Sequence, residues 1–350
     1  MTAVPVITLT SLDPVLRGAA TSSLLCDLPG AVALQHDLDA RSGELRRRVH
    51  DPSGVLQDTT KHLEHACASC AVREDIVPAL EELAMSRPTA IILSLPVALE
   101  SVPVLHAMAQ ARGVVAAGVA AVADIASLRA DLTCQDLLAE RGLAVAVEDE
   151  RMVAEVLVSQ LETADVVLTS THPEETPADV AAILAHLTGP EAAMPWYSPP
   201  AERLLLARPS LDRGDLMAVA STGAGPAEDV WTVDLATWRP IHPDRLMEHA
   251  EALGGDAVRS KGHFWVATRP SVACAWDGAG GHVSVGRIGP WESRPDTHLV
   301  VTGLGGDPRR VIDAFEAVLL TDVELARGLD SWSGRADGLD PWLGTARDAA

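Results

Sequence analysis

Through the first two thirds of the chain, short apolar runs alternate with amphipathic stretches. Residues 6–9, 32–34, 90–93, 119–122 and 166–168 are dominated by Val, Ile, Leu and Ala, the pattern of strands buried on both faces. Between them, Val153, Val156, Leu157 and Leu161 recur at helical spacing, as do Val180, Ile183, Leu184 and Leu187. Pro177 falls in the first turn of the second of these helices, where its missing N–H costs nothing. The alternation predicts an α/β fold with an open, mostly parallel sheet and helices on both faces. Ligands of such sheets sit at the carboxyl ends of the strands.

From residue 189 to 228 the composition turns to Pro, Gly, Ser and acid, which reads as a linker. Beyond it, strands are expected at 231–235, 262–267, 272–276, 282–285 and 298–302, with helices at 242–253 and 308–320. Asp307 and Pro308 suit the cap and first turn of the last helix, whose buried stripe is Val311, Ile312, Phe315, Val318 and Leu319. The division expected is an α/β domain over 1–190, a linker over 191–228, a smaller α+β domain over 229–325, and a Gly- and Asp-rich tail over 326–350 draped on the surface.

Composition narrows the function. The 27 basic and 49 acidic residues among 350 give a net charge of −22, which repels phosphate backbones and argues against direct, sequence-specific nucleic-acid binding. With only two Phe and one Tyr, the core must be built from Ala, Val and Leu. Five cysteines, an odd number over a long chain, do not form a disulfide framework and point to a reducing compartment. The first 13 residues carry no basic residue and fail as a signal peptide. No apolar run approaches the roughly 20 residues that span a bilayer, so the expectation is a soluble cytoplasmic protein without membrane partners. Arg46, Arg47 and Arg48 read as a solvated helix face or a patch for an acidic partner. Cys26, Cys134 and Cys274 read as small core residues, and His106 and His186 as core or boundary positions.

The densest reactive cluster holds His62, His65, Cys67 and Cys70 within nine residues. Two thiols and two imidazoles at this spacing suit tetrahedral zinc. A phosphate-binding turn would be expected after the first strand, yet the chain there reads Ser11-Leu12-Asp13-Pro14-Val15-Leu16-Arg17-Gly18. Asp13 adds a like charge, Pro14 removes a donor, and Arg17 alone offers a cation, so nucleoside triphosphate binding should be weak or absent. Gly303-Leu304-Gly305-Gly306 precedes a helix and reads as a tight turn before its cap. No Gly-x-Ser-x-Gly elbow and no His-Glu-x-x-His is present.

Several of these segments carry a family resemblance. The run Cys67-Ala68-Ser69-Cys70-Ala71-Val72-Arg73-Glu74-Asp75 resembles the Cys-x-Cys-Cys metal motif and following helix of the CobW-type P-loop GTPases, a family of metallochaperones. Residues 239–246 and 259–267 are similar to the signature of the CobW C-terminal domain, and 160–165 to the helix before the family's base-recognition strand. The resemblance implies a P-loop NTPase-like first domain, with Ser11, Arg17 and Gly18 at its nucleotide loop, and bound zinc. It also implies Cys67 and Cys70 as metal ligands, His65 as the third, with Ser69 in place of the family's central cysteine. The family's Walker A, second switch and guanine motif are replaced by 11–18, Ser94-Leu95-Pro96-Val97 and Ser170-Thr171-His172-Pro173, which places GTP binding and hydrolysis in question. Together these departures resemble the MRF branch, which implies recruitment of a ribosome hibernation factor to the ribosome under zinc limitation. The alternative implied is a GTP-dependent zinc metallochaperone that delivers metal to a zinc-requiring client protein.

Overall fold

The computed structural model describes residues 3–209, 214–255 and 257–345. The chain forms two compact units, Met1–Leu132 with Asp136–Arg213, and Thr133–Gln135 with Gly214–Ala350. Along the first run β1 (Val4–Ser11), α1 (Pro14–Asp27), β2 (Val32–Asp39), β3 (Glu44–Asp51), β4 (Gly54–His62), α2 (Ala68–Ala71), a π-turn (Val72–Ile76), α3 (Val77–Met85) and β5 (Ile91–Ser94). There follow α4 (Ser101–Met108), β6 (Val114–Ala123), α5 (Ile125–Thr133), α6 (Val153–Thr163), β7 (Val166–Thr169), α7 (Ala178–Thr188), β8 (Ala193–Pro195) and α8 (Ala201–Leu206).

The sheet order is β4-β3-β2-β5-β1-β6-β7-β8. Strands β2, β5, β1, β6, β7 and β8 are parallel, and β3 and β4 fold back antiparallel at one edge. Side chains of β1 alternate between two cores. Val4 and Val6 pack with α3 and α4, whereas Ile7 and Leu9 pack with α1 and α8. Helices therefore cover both faces, the doubly covered α/β layer expected from the apolar runs.

Residues 191–228, read from composition as a linker, begin with β8 and α8. Leu204 of α8 is fully buried, and a Cβ at Gly118 of β6 would lie 2.7 Å from the Leu204 carbonyl oxygen. Helix and strand thus meet at a distance only glycine permits. The arginine run is also corrected, because Arg46, Arg47 and Arg48 lie on β3 and not on a helix. Arg46 pairs with Asp58 of β4 (Nε to Oδ1, 2.9 Å) and Arg48 with Asp37 of β2 (2.8 Å), while Arg47 points to the other face, 3.5 Å from Asp75.

In the second unit, β9 (Val230–Thr237), β10 (Arg259–Phe264), β11 (Val272–Ala279), β12 (His282–Pro290) and β13 (Thr297–Leu304) form an antiparallel sheet ordered β12-β11-β10-β13-β9. Helices α9 (Pro243–Ala250) and α10 (Arg309–Val318) close one face, with Leu246, Phe315 and Val318 packed on Phe264, Trp276 and Leu299. The helix expected to reach 253 passes into a π-turn at Glu251–Gly255. Pro177 and Pro308 sit at the caps of their helices, one position before the first turn. Asp307 still accepts a hydrogen bond from the Arg309 N–H at 2.9 Å.

The tail is not draped. After α11 (Asp322–Leu325) it forms a 3-10 turn (Leu329–Ser331) and α12 (Asp340–Leu343), and Leu339 and Leu343 enter the same core as Phe264 and Cys274. The anchor is Asp337, which pairs with Arg269 in full burial at 2.7 Å, a contact invisible to composition. Two smaller expectations are corrected likewise. Cys26 is exposed at the end of α1 and Cys134 is half-buried, whereas Cys274 is buried, and burial pushes its thiol up to about 12. His106 is exposed on α4, where its Nδ1 bonds to the Val102 carbonyl at 3.0 Å, and His186 is buried. No helix among the described residues is long and apolar enough to cross a membrane.

Candidate functional site

The loop after β1 shows what became of the expected phosphate site. The Ser11 hydroxyl donates to the Val122 carbonyl (2.8 Å) and accepts from the Asp13 N–H (3.0 Å). Asp13 then caps α1, accepting the N–H groups of Val15 (2.7 Å) and Leu16 (3.0 Å). These are the donors that a helix N-terminus offers to an anion, so the helix is served by its own carboxylate. Arg17 is 1% exposed and turned inward. It donates to the His36 carbonyl at 3.1 Å, to the Leu95 carbonyl and to the Asp37 carboxylate. Gly18 lies on α1 with open space where a Cβ would stand, so nothing there approaches closely enough to require glycine.

A cavity of about 450 Å³ adjoins this loop and carries Asp13, Asp124 and Asp131, with Arg141 held by Asp136 (2.6 Å) and Asp131 (3.5 Å). Carboxylates facing a polyphosphate repel it. At the end of β7, Ser170 is spent on Asp124 (2.7 Å), and His172 caps the turn Pro173–Glu175. The residues present do not fit a nucleoside triphosphate, and no step is routed through one.

The cysteine segment is built differently. Cys67 caps α2, its Sγ accepting the Cys70 N–H at 3.4 Å. Cys70 is buried, and the Arg73 guanidinium stands 3.7 Å from its sulfur. The neighbouring Cys67 thiol, together with burial, holds the Cys70 thiol above its ordinary range. Both cysteines stand at the start of one short helix, Cys70 buried and Cys67 half-buried against the core. His62 ends the exposed strand β4 and His65 lies exposed in the loop beyond it. Among the described residues, no three Cys, His, Asp or Glu side chains converge as a metal-binding set. Of the four ligands expected from spacing, Cys67 and Cys70 share the start of α2, and His62 and His65 are exposed ahead of it.

The π-turn after Cys70 carries a residue that sequence reasoning did not single out as functional. Asp75 accepts from the buried His36 at 2.9 Å and lies 3.5 Å from both Arg47 and Lys61. Through Asp75 the cysteine segment is tied to β2, β3 and β4. A π-turn is uncommon in helices and recurs at functional sites. The only sequence signal was the acid pair Glu74-Asp75 after the thiols.

Burial lowers the pKa of His36 below 6.5, against the opposing pull of Asp75. Its Nδ1 is buried without a partner, so a second proton would have no acceptor. The unfolded chain, free of this constraint, takes up that proton more readily. Stability contributed by neutral His36 is therefore present above about pH 6.5 and is lost as pH falls through the depressed folded value. Urea denaturation at pH 7.5 and 5.5 should show the chain weaker at the lower pH, by up to about 1.4 kcal/mol per pH unit. His36→Gln should flatten this dependence, and an unchanged slope in that variant would rule His36 out as its source.

Comparison with known proteins follows the same lines. Residues 230–319 match the cobalamin synthesis protein cobW C-terminal domain. The chain is 30% identical to the zinc chaperone Rv0106 of Mycobacterium tuberculosis, over 89% of this chain and 87% of that protein. Identity and coverage are the same for the uncharacterized protein Mb0109 of Mycobacterium bovis. Among solved structures, the Zn(II)-bound YjiA GTPase from E. coli aligns over 91% of this chain and 99% of its own, at 14% identity and a TM-score of 0.40.

Proposed function

The chain belongs to the CobW-like family, and on that premise we propose that it is a zinc metallochaperone, holding the metal through Cys67 and Cys70 and passing it to a zinc-requiring client. The observation that carries this reading is the placement of both thiols at the start of α2, where Cys67 caps the helix and its Sγ accepts the Cys70 N–H at 3.4 Å. Zinc is the cargo. As thiolates, the two sulfurs supply soft, negatively charged ligands, and binding releases their protons. Two ligands from the chain leave the remaining tetrahedral positions to water or to an incoming protein, which suits a carrier better than a permanent structural site.

The same reading separates zinc handling from nucleotide turnover. With the first-turn donors of α1 on Asp13 and Arg17 committed to Asp37, the loop after β1 offers no free phosphate cradle to couple hydrolysis to release. Zinc titration of the full chain against a chromophoric chelator should give one zinc per chain, with an affinity unchanged by GTP and magnesium. A chain that fails to compete for zinc, or one whose zinc affinity shifts tenfold or more with GTP, contradicts it.

Recruitment of a ribosome hibernation factor, implied by the MRF resemblance, is the second reading and is carried by the same worn nucleotide elements. The name of the zinc chaperone relative favours zinc handling over recruitment. Ribosomes and a hibernation factor captured with the chain under zinc limitation would reverse that preference.

A further inference from the structure

A shallow groove of about 460 Å³ runs beside the thiol pair, with Cys67, Ala68 and Ser69 on one wall and residues 145–155 on the other. The second wall is acidic. Glu148 and Glu150 are exposed there, and Glu155 lines the same groove. Its one cation, Arg151, is already matched by Asp149 (2.9 Å) and Glu100 (3.0 Å). Glu155 accepts the Met152 N–H at 2.8 Å, so the negative charge this wall presents beside Cys67 is that of the exposed Glu148 and Glu150. Cys67 belongs to a ligand set two short of tetrahedral among the described residues.

We propose that this groove receives a cationic, cysteine-bearing segment of the protein that accepts the metal. The proposal rests on the zinc reading above and names the partner's chemistry. Lysine or arginine side chains of the segment face Glu148 and Glu150, which steers the encounter and fixes its register. Its cysteine reaches the open positions of the zinc held at Cys67 and Cys70. In the exchange, the incoming thiol gives its proton to solvent as its sulfur–zinc bond forms. The Cys67–zinc bond breaks, and the released thiolate takes up a proton. Zinc remains divalent and no electrons are transferred. An acidic segment would meet like charge, so the groove discriminates by sign as well as by ligand.

The test uses the zinc-loaded full chain and two short synthetic peptides, one of Lys and Gly with a single Cys, the other with Glu replacing each Lys. Wild type and the Glu148→Gln/Glu150→Gln variant are compared at equal measured zinc content. The Lys peptide should bind wild type about tenfold more tightly than the variant, mostly through a faster on-rate, and the difference should shrink at high salt. The Glu peptide should show the opposite order, binding wild type more weakly than the variant, because the substitutions remove like charge from the wall. Equal binding of the Lys peptide to both proteins, at full zinc content, overturns the groove assignment and leaves the zinc reading standing. A wild-type chain that retains no zinc overturns both. A dimer of the free chain that the double variant dissolves makes a second copy the occupant and likewise overturns the proposal.

Discussion

Replacing Arg269 by Met lowers the stability of the carboxy-terminal unit by about 3–5 kcal/mol, the cost of leaving a buried charge without its partner. Arg269 and Asp337 are both fully buried, joined by two parallel hydrogen bonds of 3.0 and 2.7 Å. Asp340 adds a contact at 2.8 Å and the Gly344 carbonyl another, so one guanidinium fastens the last turn of the chain. Burial would raise the Asp337 carboxyl, but Arg269 and Thr268 hold it below its ordinary range. Removing the cation leaves that buried carboxylate with only the Thr268 hydroxyl and the Leu339 N–H (3.0 Å) as partners. Urea denaturation gives the magnitude, and hydrogen exchange should show the amides of α12 losing protection first. Arg269→Met combined with Asp337→Leu should recover part of the loss, since an apolar pair is often as stable as the ion pair it replaces. A single-variant loss below about 1 kcal/mol contradicts the anchoring role.

The second large effect is chemical. Cys67→Ser with Cys70→Ser removes both assembled ligands, and structural zinc sites with four ligands are worth roughly 10–16 kcal/mol. Losing two thiolates should cost about 5 kcal/mol or more, roughly several thousandfold or more in affinity. Zinc per chain after dialysis, measured by elemental analysis, should fall from one to near zero. Serine is close in size to cysteine, so the fold should persist, which circular dichroism checks. Zinc retained by the double variant would place the site elsewhere. His65→Ala tests the expected third ligand. With that ring exposed and no set of three ligands converging among the described residues, its removal should change affinity far less than loss of either sulfur.

The parallel strands were legible because each is a continuous apolar run buried on both faces, as Ile91 and Ile92 of β5 are at 0% exposure. The β3–β4 hairpin was not, because β4 is exposed along most of its length and carries no alternation for the core to impose. Arg46 to Arg48 look the same on a helix or a strand. What decides is Asp58, ten or more positions away, and Asp37 and Asp75, on other elements. The tail failed for the same reason: Asp337 in a Gly-rich stretch gives no hint of Arg269, 68 residues earlier. At the candidate site, spacing placed Cys67 and Cys70 together, since a cap residue and its third neighbour share the first turn of a helix, whereas His62 and His65 precede the helix, where spacing alone does not fix a side chain's position. In the loop after β1, the carboxylate of Asp13 and the missing N–H of Pro14 were visible in the sequence, but not that Arg17 would be drawn into the ion pair with Asp37.

X-ray absorption at the zinc edge of the loaded, nucleotide-free chain tests the central claim most directly. The account predicts two sulfur neighbours at about 2.3 Å, with nitrogen or oxygen completing the shell at about 2.0 Å. A shell of nitrogen and oxygen alone would contradict it.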